Sequence, residues 1–105
     1  MNNTSIEVEA IEVFNENFGT VKLSRYHKVK EEFEEMTEAF EEYIRVPHFG
    51  KSNECEEHLK DEISDLYATV THLASLFGLH HQNLLEMAID KVEKRKTNPK
   101  YKRFV

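Results

Sequence analysis

Glu32-Phe33-Glu34-Glu35, answered thirty residues later by Glu62-Ile63-Ser64-Asp65, is the stretch on which the reading of this chain turns. Each is a pair of carboxylates at i and i+3, which an α-helix places on neighbouring turns of one face. The correspondence runs on beyond the acids. Phe33, Met36, Phe40, Tyr43 and Ile44 match Ile63, Leu66, Val70, Leu73 and Ala74 at the same offset. At about 100° per residue, Glu32 falls beside Met36 and Tyr43, and Glu62 falls beside Leu66 and Leu73. Both pairs therefore sit on the flank of a stripe expected to face a core. Two such helices packed together aim four acidic groups, Glu32, Glu35, Glu62 and Asp65, at one place. Carboxylates near a core need a partner or a metal, because leaving water unpaired is too costly. The expectation is a divalent-cation site.

The rest of the chain reads as helix. It has two prolines, three glycines and no tryptophan, with long periodic runs rich in Glu and Lys. Asn2 to Ser5 supplies N-cap chemistry for a first helix over about 5–18, striped by Ile6, Ala10, Val13, Phe14 and Phe18, with Gly19 as its stop. After a connector over 20–25, a second helix spans about 24–45. Within it Glu31, Glu34, Glu38 and Glu41 project away from the stripe, as a solvated face would. Pro47 and Gly50 place a loop over 46–53, and a third helix follows from about 54 to 77, ending at Gly78. A fourth spans about 81–96, with Leu84, Leu85, Ala88, Ile89 and Val92 inward. The expected architecture is an all-α bundle of about four helices in one domain over 1–105, with its core in 5–96 and a basic tail over 97–105.

A chain of 105 residues is marginal as an isolated core. From Leu66 to Leu85 there is no formal charge, so the third helix is bland all round and reads as buried all round. That implies a second protomer, with Tyr67, Thr71 and Ala74 near the interface. The same run holds three histidines, a glycine, Gln82 and Asn83, which argues against a membrane span. The single cysteine, Cys55, has no internal disulfide partner and suits a reducing compartment. With no secretory signal visible at the start, the expected location is cytoplasmic.

A net charge of −6 argues against nucleic-acid binding. The distribution is more telling: thirteen of the twenty acids lie in 31–42 and 54–65, while the last fifteen residues hold seven of the fourteen bases. An acidic middle and a basic end fit an anionic ligand held through a metal on one side and cations on the other. Lys91 and Arg95, at i and i+4, either complement the helix dipole or bind phosphate. Phe14 and Phe18 either pack in the core or stack on a base. His80 and His81 read as a cap or surface pair, and His72 as a hydrogen-bonded or interface histidine. All-oxygen ligation selects hard cations, Mg²⁺ first with Mn²⁺ as a substitute. Zinc ligand spacing and Glu-x-x-His pairs are absent.

Glu32-x-x-Glu35, a gap of twenty-six residues and Glu62-x-x-Asp65 resemble the signature of the MazG-like, all-α nucleoside triphosphate pyrophosphohydrolases. The resemblance covers about residues 26–96. It extends to Glu31-Glu32-Phe33-Glu34-Glu35-Met36 and Asp61-Glu62-Ile63-Ser64-Asp65-Leu66, and Phe14-Asn15-Glu16-Asn17-Phe18-Gly19 is similar to the first helix of short members. What it implies is hydrolysis of a nucleoside triphosphate between the α- and β-phosphates, by water attacking the α-phosphorus. Glu32, Glu35, Glu62 and Asp65 would hold Mg²⁺, with Glu35 or Glu38 as proton acceptor. Lys91 matches a basic residue of the family, whereas Arg95 stands where an asparagine is expected. The resemblance also implies base recognition by Phe14, Phe18 and Tyr26 or His27, and assembly as a homodimer or homotetramer. The alternatives are a phosphoribosyl-ATP pyrophosphohydrolase-like activity and a non-catalytic helical interaction module.

Overall fold

The computed structural model describes residues 3–45 and 52–97, which form four α-helices and no strand. They are α1 (Asn3–Phe18), α2 (Lys22–Arg45), α3 (Ser52–Ser75) and α4 (His81–Thr97). The chain is all-α, as expected, with the boundaries of each helix moved by a residue or two. α2 begins at Lys22 rather than Ser24, because the connector is shorter than its polar composition suggested. α3 stops at Ser75 and passes through a turn before Gly78. The expected loop over 46–53 lies outside the described residues apart from its last two, which belong to α3; the tail lies outside them from residue 98 on.

Two glycines set the stops. Gly19 adopts φ 78° and its N–H donates to the carbonyl of Asn15 at 3.0 Å, the single-bond αL termination. Gly78 adopts φ 74° in a Schellman closure, in which Leu79 N–H donates to Ala74 O and Gly78 N–H to Ser75 O, both at 3.0 Å. α4 then starts with its own cap. The side-chain oxygen of Asn83 accepts from His80 N–H at 3.1 Å, an Asn version of the capping box.

α2 and α3 make the principal contact. Cys55 Sγ meets Glu42 Oε1 at 3.7 Å near one end, and Glu62 lies beside Glu32 and Glu35 further along, so the two helices run antiparallel. α1 lies on α3. There His72 Nε2 donates to Asn15 Oδ1 at 2.9 Å, and the His72 ring meets Phe14 at 5.6 Å between centroids. Glu7 reaches α4, accepting from His81 N–H at 2.7 Å. This contact offsets one of the N–H groups that the first turn of a helix leaves unpaired.

Among the described residues the apolar stripes stay largely open, and the buried hydrophobic side chains are Ala39 and Cys55. Phe33 is 54% exposed, Phe40 50% and Ile44 62%. On α4, Leu84 and Ala88 are partly covered, whereas Leu85, Ile89 and Val92, expected inward, are exposed. The physical reason is that, among the described residues, α4 meets the other helices chiefly at its N-terminal end, where His81 and Leu84 approach α1 and α3. Tyr67 is exposed, and Thr71 and Ala74 are half-buried.

Candidate functional site

The site grows from the antiparallel α2–α3 pair. Glu32 and Glu35 come one turn apart on α2, Glu62 faces them from α3, and oxygens of the three carboxylates lie within 4.8 Å of one another. Glu32 is only 7% exposed. Its burial follows from the sequence, since it occupies the edge of the stripe that packs on α3. Asp65, the fourth acid expected here, falls outside this group of three; it is exposed and lines an adjoining cleft together with Glu32.

Each of the two inner acids carries a base one turn earlier. Lys28 Nζ pairs with Glu32 Oε1 at 3.1 Å, and His58 Nε2 meets Glu62 Oε1 at 3.3 Å. The ion pair with Glu32 raises the Lys28 pKa. In both acids the second oxygen, Oε2, is buried without a hydrogen-bond partner. A buried carboxylate oxygen left unmatched carries a desolvation penalty that an ion would offset. Glu35 feels the same crowding: the neighbouring Glu32 carboxylate first, then burial and the charge of Glu62, raise its pKa. The donor set is hard oxygen throughout and therefore fits Mg²⁺ or Mn²⁺ rather than zinc.

Beside the acids lies a cleft of about 370 Å³ between α1, α2 and α3. Its acidic end is Glu32 and Asp65, and its cationic wall is Arg25 and Lys28. Phe14, Phe18 and His72 form the apolar side. The Arg25 guanidinium sits 5.6 Å from the Phe18 ring centroid, and its Nε is buried without a partner. Burial and the Arg25 charge together hold His72 below the usual histidine range, so it stands neutral against Asn15.

Other residues singled out in the sequence lie apart. Glu38 is exposed and outside the acidic group. Tyr26 is exposed with its ring 5.5 Å from that of His27, and does not line the cleft. Lys91 is exposed and Arg95 is buried, and neither lines the cleft. His80 and His81 cap α4, where Glu7 faces both.

Sequence reasoning missed Arg25, Lys28 and His58. A signal for two of them existed: extending the thirty-residue correspondence back one turn aligns Lys28 with His58, each four residues before its acid. Arg25 gives no such sign, since the sequence places it at the end of the connector. Compared with models of protein families, with curated proteins and with solved structures, the chain matches none.

Proposed function

We propose that this chain is a divalent-cation-dependent nucleoside triphosphate pyrophosphohydrolase of the MazG-like kind, cleaving between the α- and β-phosphates to give a nucleoside monophosphate and pyrophosphate. One observation carries the reading. Glu32 and Glu62 each have one oxygen paired to a base and the other buried without a partner, within a group that also includes Glu35. A merely solvated acidic face would have no such oxygens. Glu32, Glu35 and Glu62 would hold the cation, with Asp65 close by on the cleft. When bound, Mg²⁺ neutralises phosphate charge and favours attack at phosphorus.

The chain's own groups supply the rest. Arg25 and Lys28 face the cleft as cations for the leaving β- and γ-phosphates, whose charge grows as the bond breaks. Glu35, the exposed member of the acidic group, would accept the proton of the attacking water through an oxygen not given to the cation. Phe14 and Phe18 make the apolar side against which the sugar lies, and Phe14 continues as a wall of the adjoining cavity. Phosphate contacts from Lys91 and Arg95 find no support in the lining of this cleft. The exposed stripes of α2 and α4 support assembly into a homodimer or homotetramer.

The test is pyrophosphate release across canonical and modified NTPs and dNTPs with Mg²⁺ and Mn²⁺, for wild type and Glu32→Gln. Wild type should release pyrophosphate only with the cation, and Glu32→Gln should lose at least about a hundredfold in rate, as for removal of a major electrostatic element. Release that is equal in the variant, or absent from wild type over the whole panel, overturns the proposal.

A further inference from the structure

A second cavity, of about 420 Å³, adjoins the cleft, and the two share Phe14 and Ala68 as walls. Its volume is in the range of small-ligand pockets. We propose that it is the base pocket of the substrate and that Glu7 selects guanine, so that the preferred substrate is a guanine nucleoside triphosphate. The phosphates' place is taken from the pyrophosphohydrolase reading above; the choice of base is argued from this cavity alone.

The cavity is mostly apolar, with Phe14 and Tyr67 supplying aromatic rings. Tyr67 is held in place: its hydroxyl hydrogen-bonds His81 Nδ1, and the two rings meet edge-on at 71°. A planar base laid against these rings gains stacking without ordering a mobile Tyr67 side chain. The polar edge is set by Glu7, which lines the cavity. Its carboxylate is oriented from outside, because Oε1 accepts from His81 N–H at 2.7 Å and lies 3.7 Å from His80 Nδ1. A carboxylate offers about four acceptor sites and no donor. No described group pairs with Oε2, so that oxygen and the second lone pair of Oε1 are the acceptors Glu7 can offer a ligand.

An oriented, acceptor-only carboxylate discriminates among bases. Guanine presents two adjacent donors, N1–H and the 2-amino group, which match it in the fork geometry that makes charge-assisted pairs strong. Adenine and cytosine present one amino group beside an unprotonated ring nitrogen, whose lone pair faces the carboxylate. Uracil and thymine flank their single N–H with carbonyl oxygens that repel it. Hypoxanthine keeps N1–H but lacks the 2-amino group, so it isolates the second hydrogen bond.

The experiment compares GTP, ITP, ATP, CTP and UTP as substrates of the full chain and of Glu7→Gln, whose amide oxygen still accepts from His81 N–H. The binding of guanosine and inosine to wild type is read in parallel from amide NMR shifts around Tyr67 and Thr71. GTP should exceed ITP in kcat/KM by about tenfold or more, the worth of one good hydrogen bond to a charged group. Glu7→Gln should bring that ratio towards one, and guanosine should bind more tightly than inosine. Hydrolysis with no preference for GTP over ITP overturns the guanine assignment and leaves the reaction standing. If no triphosphate is hydrolysed, the reaction fails instead. The pocket is then judged by binding: preference for guanosine supports it, and equal or absent binding of the two nucleosides overturns it.

Discussion

Glu35 differs from the acids around it in a way that pH exposes. Its pKa is raised by the close Glu32 carboxylate first and then by burial. A carboxyl whose folded value lies above its unfolded one stabilises the fold fully below the unfolded value of about 4.5. That contribution is lost as pH rises through the higher folded value. The cation-free chain should therefore lose thermal stability as pH climbs from about 4.5, more steeply than Glu35→Gln does. Millimolar Mg²⁺ at neutral pH should raise the midpoint of wild type, because binding to the folded form alone stabilises it. Melting curves over pH 4–8 with and without Mg²⁺ check both effects; a midpoint indifferent to Mg²⁺ would count against the cation site. At this scale the sequence was most informative where a residue broke a pattern. Glu32 stood out as an acid on the edge of an apolar stripe, and it is the buried one. Arg25 broke no pattern, and its place in the cleft depends on how α1 crosses the α2–α3 pair, which no local periodicity encodes.

α1 is tied to α3 by few groups, and His72 is the buried polar one, at 3% exposure. It stands neutral, donating from Nε2 to Asn15, with burial and then the Arg25 charge opposing protonation. A histidine whose folded pKa is lowered contributes stability that is whole above the unfolded value near 6.5 and is lost as pH falls through the folded value. Acidification below about 6.5 should thus loosen the α1–α3 contact first. Amide exchange in 6–18 should rise before exchange in α2 does, and His72→Gln should remove that pH dependence. Asn15→Ala leaves the imidazole N–H buried without its acceptor, at a cost of about 1–3 kcal/mol, measurable by denaturant unfolding. The helices themselves were legible from periodicity, and the stops at Gly19 and Gly78 from glycine chemistry. The inward face of α4 was not, because a stripe of Leu85, Ile89 and Val92 says that a surface will be covered without saying by which chain.

At the scale of the molecule, the described helices leave much apolar surface in water. The radius of gyration is 16.8 Å, against about 13 Å for a compact chain of this length. Large apolar side chains on α2 and α4 face outward, and Ile89 is 63% exposed. Fully burying such a side chain from water yields about 1.5–3 kcal/mol. With roughly half of each still exposed, covering Phe33, Phe40 and Ile44 against a second copy would add about 2–5 kcal/mol, a large part of the total of about 5–15 kcal/mol for a domain. Folding and assembly should then be one transition. The melting midpoint should rise with protein concentration, which an isolated monomer would not show. Phe40→Asp places a charge in the middle of the α2 stripe, where no described cation pairs with it. It should lower the mass seen by sedimentation to that of one chain and the midpoint by several degrees, since about 1 kcal/mol corresponds to roughly 4–8 °C in a domain of this size. Glu38→Gln, on the same helix but among its solvated acids, should change neither. A concentration-independent midpoint together with a monomeric mass for wild type would mean that these stripes stay in water.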